Sequence, residues 1–256
     1  MDELILALDV GHGLLTEGKR CLRSLDPMET REWVLNDRIA RYIQQRALQY
    51  KGFRVYRVDD PTGRVDVELD VRCAMANALH AHLYFSVHHN AGIEGNDTPN
   101  HDGGIVSFCS KNSTKSPHWR DLIYDALIAS TGLIGNRSEP KSKRDFYVLK
   151  NTNMPAVLVE FGFMDSPDDI EIILSDEYAR KCGYAVADAI AKEAGLREID
   201  NGIIYRTIEE VPSYARKTIA NLVENNIING YGDSRGLGLT EDVVRILMML
   251  NRAEKL

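Results

Sequence analysis

The sequence predicts an α/β protein, a mostly parallel twisted sheet with helices on both faces, followed by a small C-terminal helical module. Three observations carry this. Short apolar runs alternate with segments of helical period over about the first 200 residues, which places helices between successive strands and so makes them parallel. Several runs are continuously apolar, as strands covered on both faces require. From Ile203 onward the pattern changes to helix–loop–helix.

Leu4 to Val10 is a buried strand that stops at Gly11-His12-Gly13. A helical pattern from about Thr30 to Tyr50 turns Trp33, Ile39, Ile43 and Leu48 toward the core. Phe53 to Val58 alternates as a strand should, Asp66 to His80 is helical, and Leu83 to Val87 is a strand running into His88-His89-Asn90. Ala91 to Asp102 is polar and contains Gly, Asn and Pro, hence a loop. Gly104 to Cys109 is a strand, and Pro117 to Thr131 a helix with Pro early, where it is tolerated. Ile134 to Arg144 is expected as a second polar loop. Phe146 to Leu149 and Ala156 to Val159 are expected strands, and Pro167 to Ala194 a helix ending at Gly195.

These elements define a first domain over residues 1–197 and a module over 203–256, separated by Asp200-Asn201-Gly202. In the module, helices span Ser213 to Asn225 and Thr240 to Asn251 around a Gly230-Tyr231-Gly232-Asp233 loop, with Thr240 capping the second.

Composition bounds the function. The chain of 256 residues is 44% hydrophobic and 27% charged, with a net charge of −7. That is globular and acidic, without general attraction for nucleic acid or anionic lipid. No apolar run is long enough to cross a bilayer, so neither nucleic acid nor membrane is an expected partner. Met1-Asp2-Glu3 is acidic where a secretory signal is basic. Cys21, Cys73, Cys109 and Cys182 are scattered without a C-x-x-C pair, as suits reduced buried thiols. There is no Gly-x-Ser-x-Gly elbow, and the glycines from Gly230 to Gly236 lack dinucleotide-binding spacing.

Ligands in open α/β sheets sit outside the carboxyl ends of the strands. Four ionisable residues stand at or next to such ends: His12, Glu32 on the following helix, His88 and Glu160. Their separations of 20, 56 and 72 residues let them meet only through the fold. Two imidazoles and a carboxylate form a recurring ligand set for hydrolytic zinc. A further carboxylate serves such a reaction as proton shuttle. A single His at a strand end is more often a hydrogen-bonded structural residue. Glu160, inside an apolar run, must be paired, metal-associated or protonated.

The blocks Asp9-Val10-Gly11-His12-Gly13, Glu32-Trp33-Val34-Leu35-Asn36, Arg72 with Ala76-Asn77, Ser86-Val87-His88-His89-Asn90-Ala91 and Pro155 to Phe163 resemble the zinc-dependent N-acetylmuramoyl-L-alanine amidases. They occur in the family's order, and the resemblance covers residues 3 to 195. It implies one Zn2+ per chain held by His12, Glu32 and His88, with Glu160 as the catalytic carboxylate. Glu29 competes with Glu32, and only Glu32 has Asn36 four residues later, as the family's Glu-x-x-x-Asn pattern has. His89 competes with His88. A strand alternates its side chains, so one of the two faces the metal, and His88 fits the family's Ser-x-His-x-Asn frame. His89 then stands where the family has a small residue and is expected at the rim of the site.

The resemblance also implies the substrate, the amide joining N-acetylmuramic acid to L-alanine in peptidoglycan, and an endolysin or autolysin acting on the wall after holin- or lysis-mediated release. Asn90 and Arg144 are expected to contact substrate. Lys141, Lys143 and Arg144 have the charge to meet stem-peptide carboxylates, although a short charge run is commonly a solvated loop. Arg72 and Asn77 are expected to brace the helix behind His88. The chain departs from the family at Val10 and Leu14-Leu15, and is short for the inhibitory insertion of cell-division amidases, so an open site is expected. Tyr205 to Arg252 resembles one degenerate S-layer-homology repeat, which suggests wall binding. A helical appendage that packs on the enzyme or forms a homodimer fits equally. The alternatives to an amidase are a related zinc peptidase or deacetylase, and an inactive wall-binding protein.

Overall fold

A computed structural model describes residues 3–92, 98–199, 204–225, 227–228, 230 and 236–252. The expected linker at Asp200-Asn201-Gly202, positions 93–97 of the first polar loop, Asn229 and Tyr231-Gly232-Asp233 lie outside the described residues.

Six strands form one sheet: β1 (Leu4–Val10), β2 (Phe53–Arg57), β3 (Leu83–Asn90), β4 (Ile105–Cys109), β5 (Lys141–Lys143) and β6 (Ala156–Phe163), in the spatial order β2-β1-β3-β6-β4-β5. β1 lies parallel to β2 and β3, and β3 parallel to β6. β4 runs antiparallel to β6 and parallel to β5. The sheet is thus mostly parallel, with one reversal. Its helices are α1 (Glu32–Ala47), α2 (Leu69–Ala78), α3 (Ser116–Thr131), α4 (Tyr147–Lys150), α5 (Ile170–Leu174) and α6 (Asp176–Glu193).

The two faces follow from the two-residue period of the strands. Leu4, Leu6, Leu8 and Val10 join Phe85, Val87, Val159 and Phe161 in one cluster with Ile39 and Ile43 of α1, Leu127 of α3 and Ile190 of α6. Ala7, Tyr84, Ala156 and Leu158 pack on the other face with Cys73 and Ala76 of α2 and Val148 and Leu149 of α4. The same alternation puts Asp9, Ser86, His88 and Glu160 on the α2/α4 face and turns His89 toward α1. All four cysteines are buried and free.

α1 and α6 cross closely at Gly183. A Cβ there would stand 2.8 Å from the Ile39 carbonyl oxygen and 2.9 Å from the Ile43 nitrogen, closer than real contacts allow. Gly183→Ala is therefore expected to destabilise the protein by about 1–3 kcal/mol through overpacking, read as a lowered urea midpoint at unchanged slope. A midpoint equal to wild type would show that the crossing has slack.

Four local expectations are corrected. Phe146 to Leu149 is not a strand; from Tyr147 on it is the helical turn α4, where Val148 and Leu149 are buried side by side while Phe146 and Tyr147 are exposed. A four-residue apolar run has too few positions to separate the two periods. Lys141–Lys143, expected as loop, is the edge strand β5, and lysine is well suited to an unpaired edge. Leu48 is 75% exposed at the end of α1 rather than in the core. The expected helix from Pro167 breaks at Ser175, which is extended (φ −72°, ψ 131°) and whose hydroxyl accepts from the Tyr178 backbone N–H, so that it caps α6.

The chain divides into compact units at Met1–Glu198 and Ile199–Leu256. The second has its own core of Tyr205, Val211, Ala215, Ile219, Leu222, Leu239 and Val244. It contains α7 (Ser213–Glu224), α8 (Glu241–Arg252) and a two-stranded ribbon of β7 (Ile204–Tyr205) and β8 (Leu239–Thr240). The Thr240 hydroxyl accepts from the Val243 N–H at 3.3 Å, the N-cap expected for α8.

Candidate functional site

His12 follows β1 with φ 66°, a left-handed conformation that disfavours side chains. The surroundings hold it there. Arg72, 1% exposed, donates to Asp9 and to the Val10 carbonyl, both at 2.6 Å, and to Asp66 at 2.9 Å. Asp9 also accepts from the Ser86 hydroxyl at 2.5 Å. Burial opposes charge on Asp9, but the Arg72 guanidinium, the His88 charge and the Ser86 hydroxyl together outweigh it and hold the carboxyl below its ordinary value. The Leu14 N–H donates to the Gly63 carbonyl, and the Thr16 hydroxyl donates to Asp66. Arg72 therefore braces the His12 loop rather than the helix behind His88. Asn77 ties α2 to the chain after α4, donating to the Asn151 carbonyl and accepting from the Asn153 N–H.

Glu32, the first residue of α1, is 1% exposed. One of its oxygens is 3.1 Å from His88 Nδ1 and accepts from the His89 backbone N–H at 3.2 Å; the other is 3.3 Å from His12 Nε2. Burial raises its pKa, but the hydrogen bond from His88 and the two imidazole charges prevail and bring it down to about 2. Burial likewise lowers His12, to about 4, against the pull of Glu32. Glu29 takes no part: it pairs with Arg20 at 2.6 Å.

His88 and Glu160 face each other in register across β3 and β6. They stand inside the strands, which continue to Asn90 and Phe163, rather than just after them. Glu160 is half-buried, and its Oε2 is sealed from solvent without a hydrogen-bond partner. Burial, against the opposing charge of His88, raises its carboxyl to about 7.

The residues present offer three donors to one metal ion. Donor atoms of His12, Glu32 and His88 all lie within 4.8 Å of one another, and bonds of about 2.0 Å would set neighbouring donors about 3.3 Å apart. The His12 and His88 rings stand perpendicular with centroids 5.1 Å apart. A Cβ on Gly11 would fall 2.1 Å from His88 Cε1, so the glycine is what gives that imidazole room. The side chains of His12 and His88 remain 21% and 17% exposed, open to a cleft of about 1030 Å3 that Glu32, Asn90, Tyr147 and Glu160 also line.

The other expected residues separate. Asn90 lines this cleft and a smaller one of about 460 Å3, while Arg144 lines only the smaller, with Arg137 and Ser142. Lys141 pairs with Asp125 at 3.1 Å. His89 is not at the rim: it is 3% exposed, and burial lowers its pKa to about 3. Its Nδ1 meets Asn36 Oδ1 at 2.7 Å. The strand period alone would have placed it opposite His88. Phe146 and Tyr147, partly exposed along the main cleft, are outside the expected site residues, since an apolar run carries no sign of a cleft wall.

A doubly covered sheet whose carboxyl edge gathers paired imidazoles and carboxylates in an open cleft is the layout of an α/β enzyme. The sequence pattern of the family described as N-acetylmuramoyl-L-alanine amidase matches residues 6–192, and the chain belongs to that family. It is 30% identical over 161 residues to an endolysin of Bacillus phage SPP1, covering 62% of this chain and 56% of that protein. To the N-acetylmuramoyl-L-alanine amidase CwlM of Bacillus licheniformis it is 26% identical over 190 residues, covering 74% and 68%. This chain thus spans little more than half of the phage protein. The crystal structure of an N-acetylmuramoyl-L-alanine amidase from Clostridium difficile 630 shares the fold, with a TM-score of 0.66 at 22% identity over 76% of this chain and 98% of that one. No helix among the described residues is long and apolar enough to cross a membrane.

Proposed function

We propose that the chain hydrolyses the amide between N-acetylmuramic acid and L-alanine in peptidoglycan, as an endolysin or autolysin, with one zinc ion held by His12, Glu32 and His88. Family membership supports the reaction class, and the phage endolysin relative supports action on the cell wall after release by lysis. The observation that carries the mechanism is the Glu160 carboxyl, half-buried with an unpartnered oxygen and in register with His88 beside the donor cluster.

Zinc bound by that cluster supplies Lewis acidity to a water molecule and to the amide carbonyl. His12 and His88 bind as neutral imidazoles and Glu32 as a carboxylate, the protonation states that ligation needs. Glu160 takes a proton from the attacking water and returns it to the nitrogen of the departing L-alanine, without which an amine is a poor leaving group. Burial, which favours the protonated carboxyl, suits Glu160 to hold that proton between the two transfers. Asn90, shared by both clefts, orients the substrate, and Arg144 meets a carboxylate of the stem peptide in the smaller one. Arg144→Ala is then expected to raise KM with kcat little changed; an unchanged KM removes Arg144 from the substrate site.

We read the C-terminal unit as a wall-binding or self-associating module. Val243, Ile246, Met249 and Leu250 of α8 are exposed, an apolar row that supports such a contact. Sedimentation of the full chain and pull-down with purified walls separate the two.

The decisive test incubates purified walls with the zinc-loaded protein. The expected product carries a new L-alanine amino terminus and intact muramic acid. Peptide-bond cleavage or deacetylation would mark a different hydrolase, and wall binding without cleavage an inactive binder. Metal-free protein with full activity would end the zinc reading.

A further inference from the structure

Asn36 sits one turn along α1 from Glu32, wholly buried. Its Nδ2 donates to the Gly11 carbonyl at 3.2 Å and to Glu32 Oε1 at 3.4 Å. Both partners can only accept, so the orientation of this carboxamide is set by chemistry. Its Oδ1 then necessarily faces the His89 ring, 2.7 Å from Nδ1. A carboxamide oxygen can only accept, so Nδ1 carries the imidazole proton. The His89 backbone N–H donates to the same Glu32 oxygen at 3.2 Å. His89 therefore closes a ring: its main chain touches Glu32, and its side chain grips the amide that touches Glu32 and Gly11.

We propose that His89 is a positioning residue for the Glu32 carboxylate. Its Nδ1–H holds the Asn36 carboxamide in the one orientation that offers N–H groups to Glu32 and to the turn before His12. Were the amide reversed, its oxygen would face two acceptors and push the carboxylate and the turn away. His89 acts from the far face of β3, packed against Phe161 with ring centroids 6.1 Å apart, and touches neither substrate nor metal. The role rests on Glu32 being a zinc ligand, and it concerns a residue that the ligand set itself leaves out. Such outer partners fix ligand orientation in metal sites generally.

The test uses the full chain, stripped of metal, with zinc affinity measured by competition against a chromogenic chelator. His89→Phe keeps the ring volume and loses the donor; His89→Asn keeps an N–H where Nδ1 stands. The expected result is zinc binding about 10–100-fold weaker in His89→Phe, largely recovered in His89→Asn. A second readout needs no metal: nitrogen-15 NMR of the metal-free protein is expected to show a slowly exchanging His89 Nδ1 proton that disappears in Asn36→Ala. Equal zinc affinity in wild type and His89→Phe overturns the proposal. If His89→Phe does not fold, the Nδ1 proton of the unaltered chain decides, and its absence overturns the clamp. A wild-type protein that shows this proton but binds no zinc overturns the ligand reading beneath the proposal, and the positioning role with it.

Discussion

Replacing Glu160 by Gln is expected to lower kcat for wall-amide cleavage by about 10²–10⁴-fold while the protein keeps its zinc. The carboxamide has the size of the carboxyl it replaces, and Glu160 is outside the cluster formed by His12, Glu32 and His88, so the metal site stays intact. What is lost is proton exchange. The Glu160 Oε2 has no hydrogen-bond partner, so the carboxyl is free of a competing contact that would hold its proton elsewhere. Zinc content by plasma mass spectrometry and released amino termini are measured on the same preparation. Turnover near wild type with zinc in place would remove Glu160 from the reaction. Loss of zinc together with activity would make it a structural part of the metal site. The contrasting variant is His12→Ala, expected to lose zinc and turnover together.

Arg72→Met is expected to cost about 3–5 kcal/mol of stability, the penalty for leaving one member of a buried ion pair uncompensated. Arg72 and Asp9 are 1% and 2% exposed. Removing the guanidinium strands the Asp9 carboxylate in the sheet interior beneath His88. The same change frees the Val10 carbonyl and loosens the turn that keeps His12 at φ 66°, so zinc affinity is expected to fall as well. Urea unfolding at neutral pH measures the first effect. The double variant Arg72→Met, Asp9→Asn is the control: neutralising the stranded acid is expected to restore a good part of the stability and little of the zinc affinity. Full stability in the single variant would mean that water or a neighbouring donor replaces the guanidinium.

The candidate site was largely legible in the sequence, because each of its parts sits on a recognisable local pattern. His12 follows an apolar strand between glycines, His88 ends an apolar run, Glu160 interrupts one, and Glu32 is followed four residues later by Asn36, one helical turn away. The choice of Glu32 over Glu29 agrees with the geometry, since Glu29 turns outward to Arg20. What escaped was the environment of these groups. The rim position expected for His89 follows from its standing where the family has a small residue, but burial depends on which helix covers that face of β3. Arg144 was grouped with the substrate residues by its charge, yet it lines only the smaller cleft. Lys141–Lys143 lacks any apolar signal and becomes a strand because β4 offers it a free edge.

Composition and periodicity alone established the α/β class, the mostly parallel sheet, the change of character near Ile203 and the placing of four ionisable residues at strand ends; their order as a set came from the resemblance of the motif blocks to the family. These are properties of neighbours along the chain, and hydrophobic period reports them directly. The antiparallel β4, the exact facing of His88 and Glu160, the burial of Arg72 against Asp9 and the clamp between His89 and Asn36 came only with the folded chain. Each depends on strand order and register between segments dozens of residues apart, where small shifts in pairing send a side chain to the opposite face of the sheet.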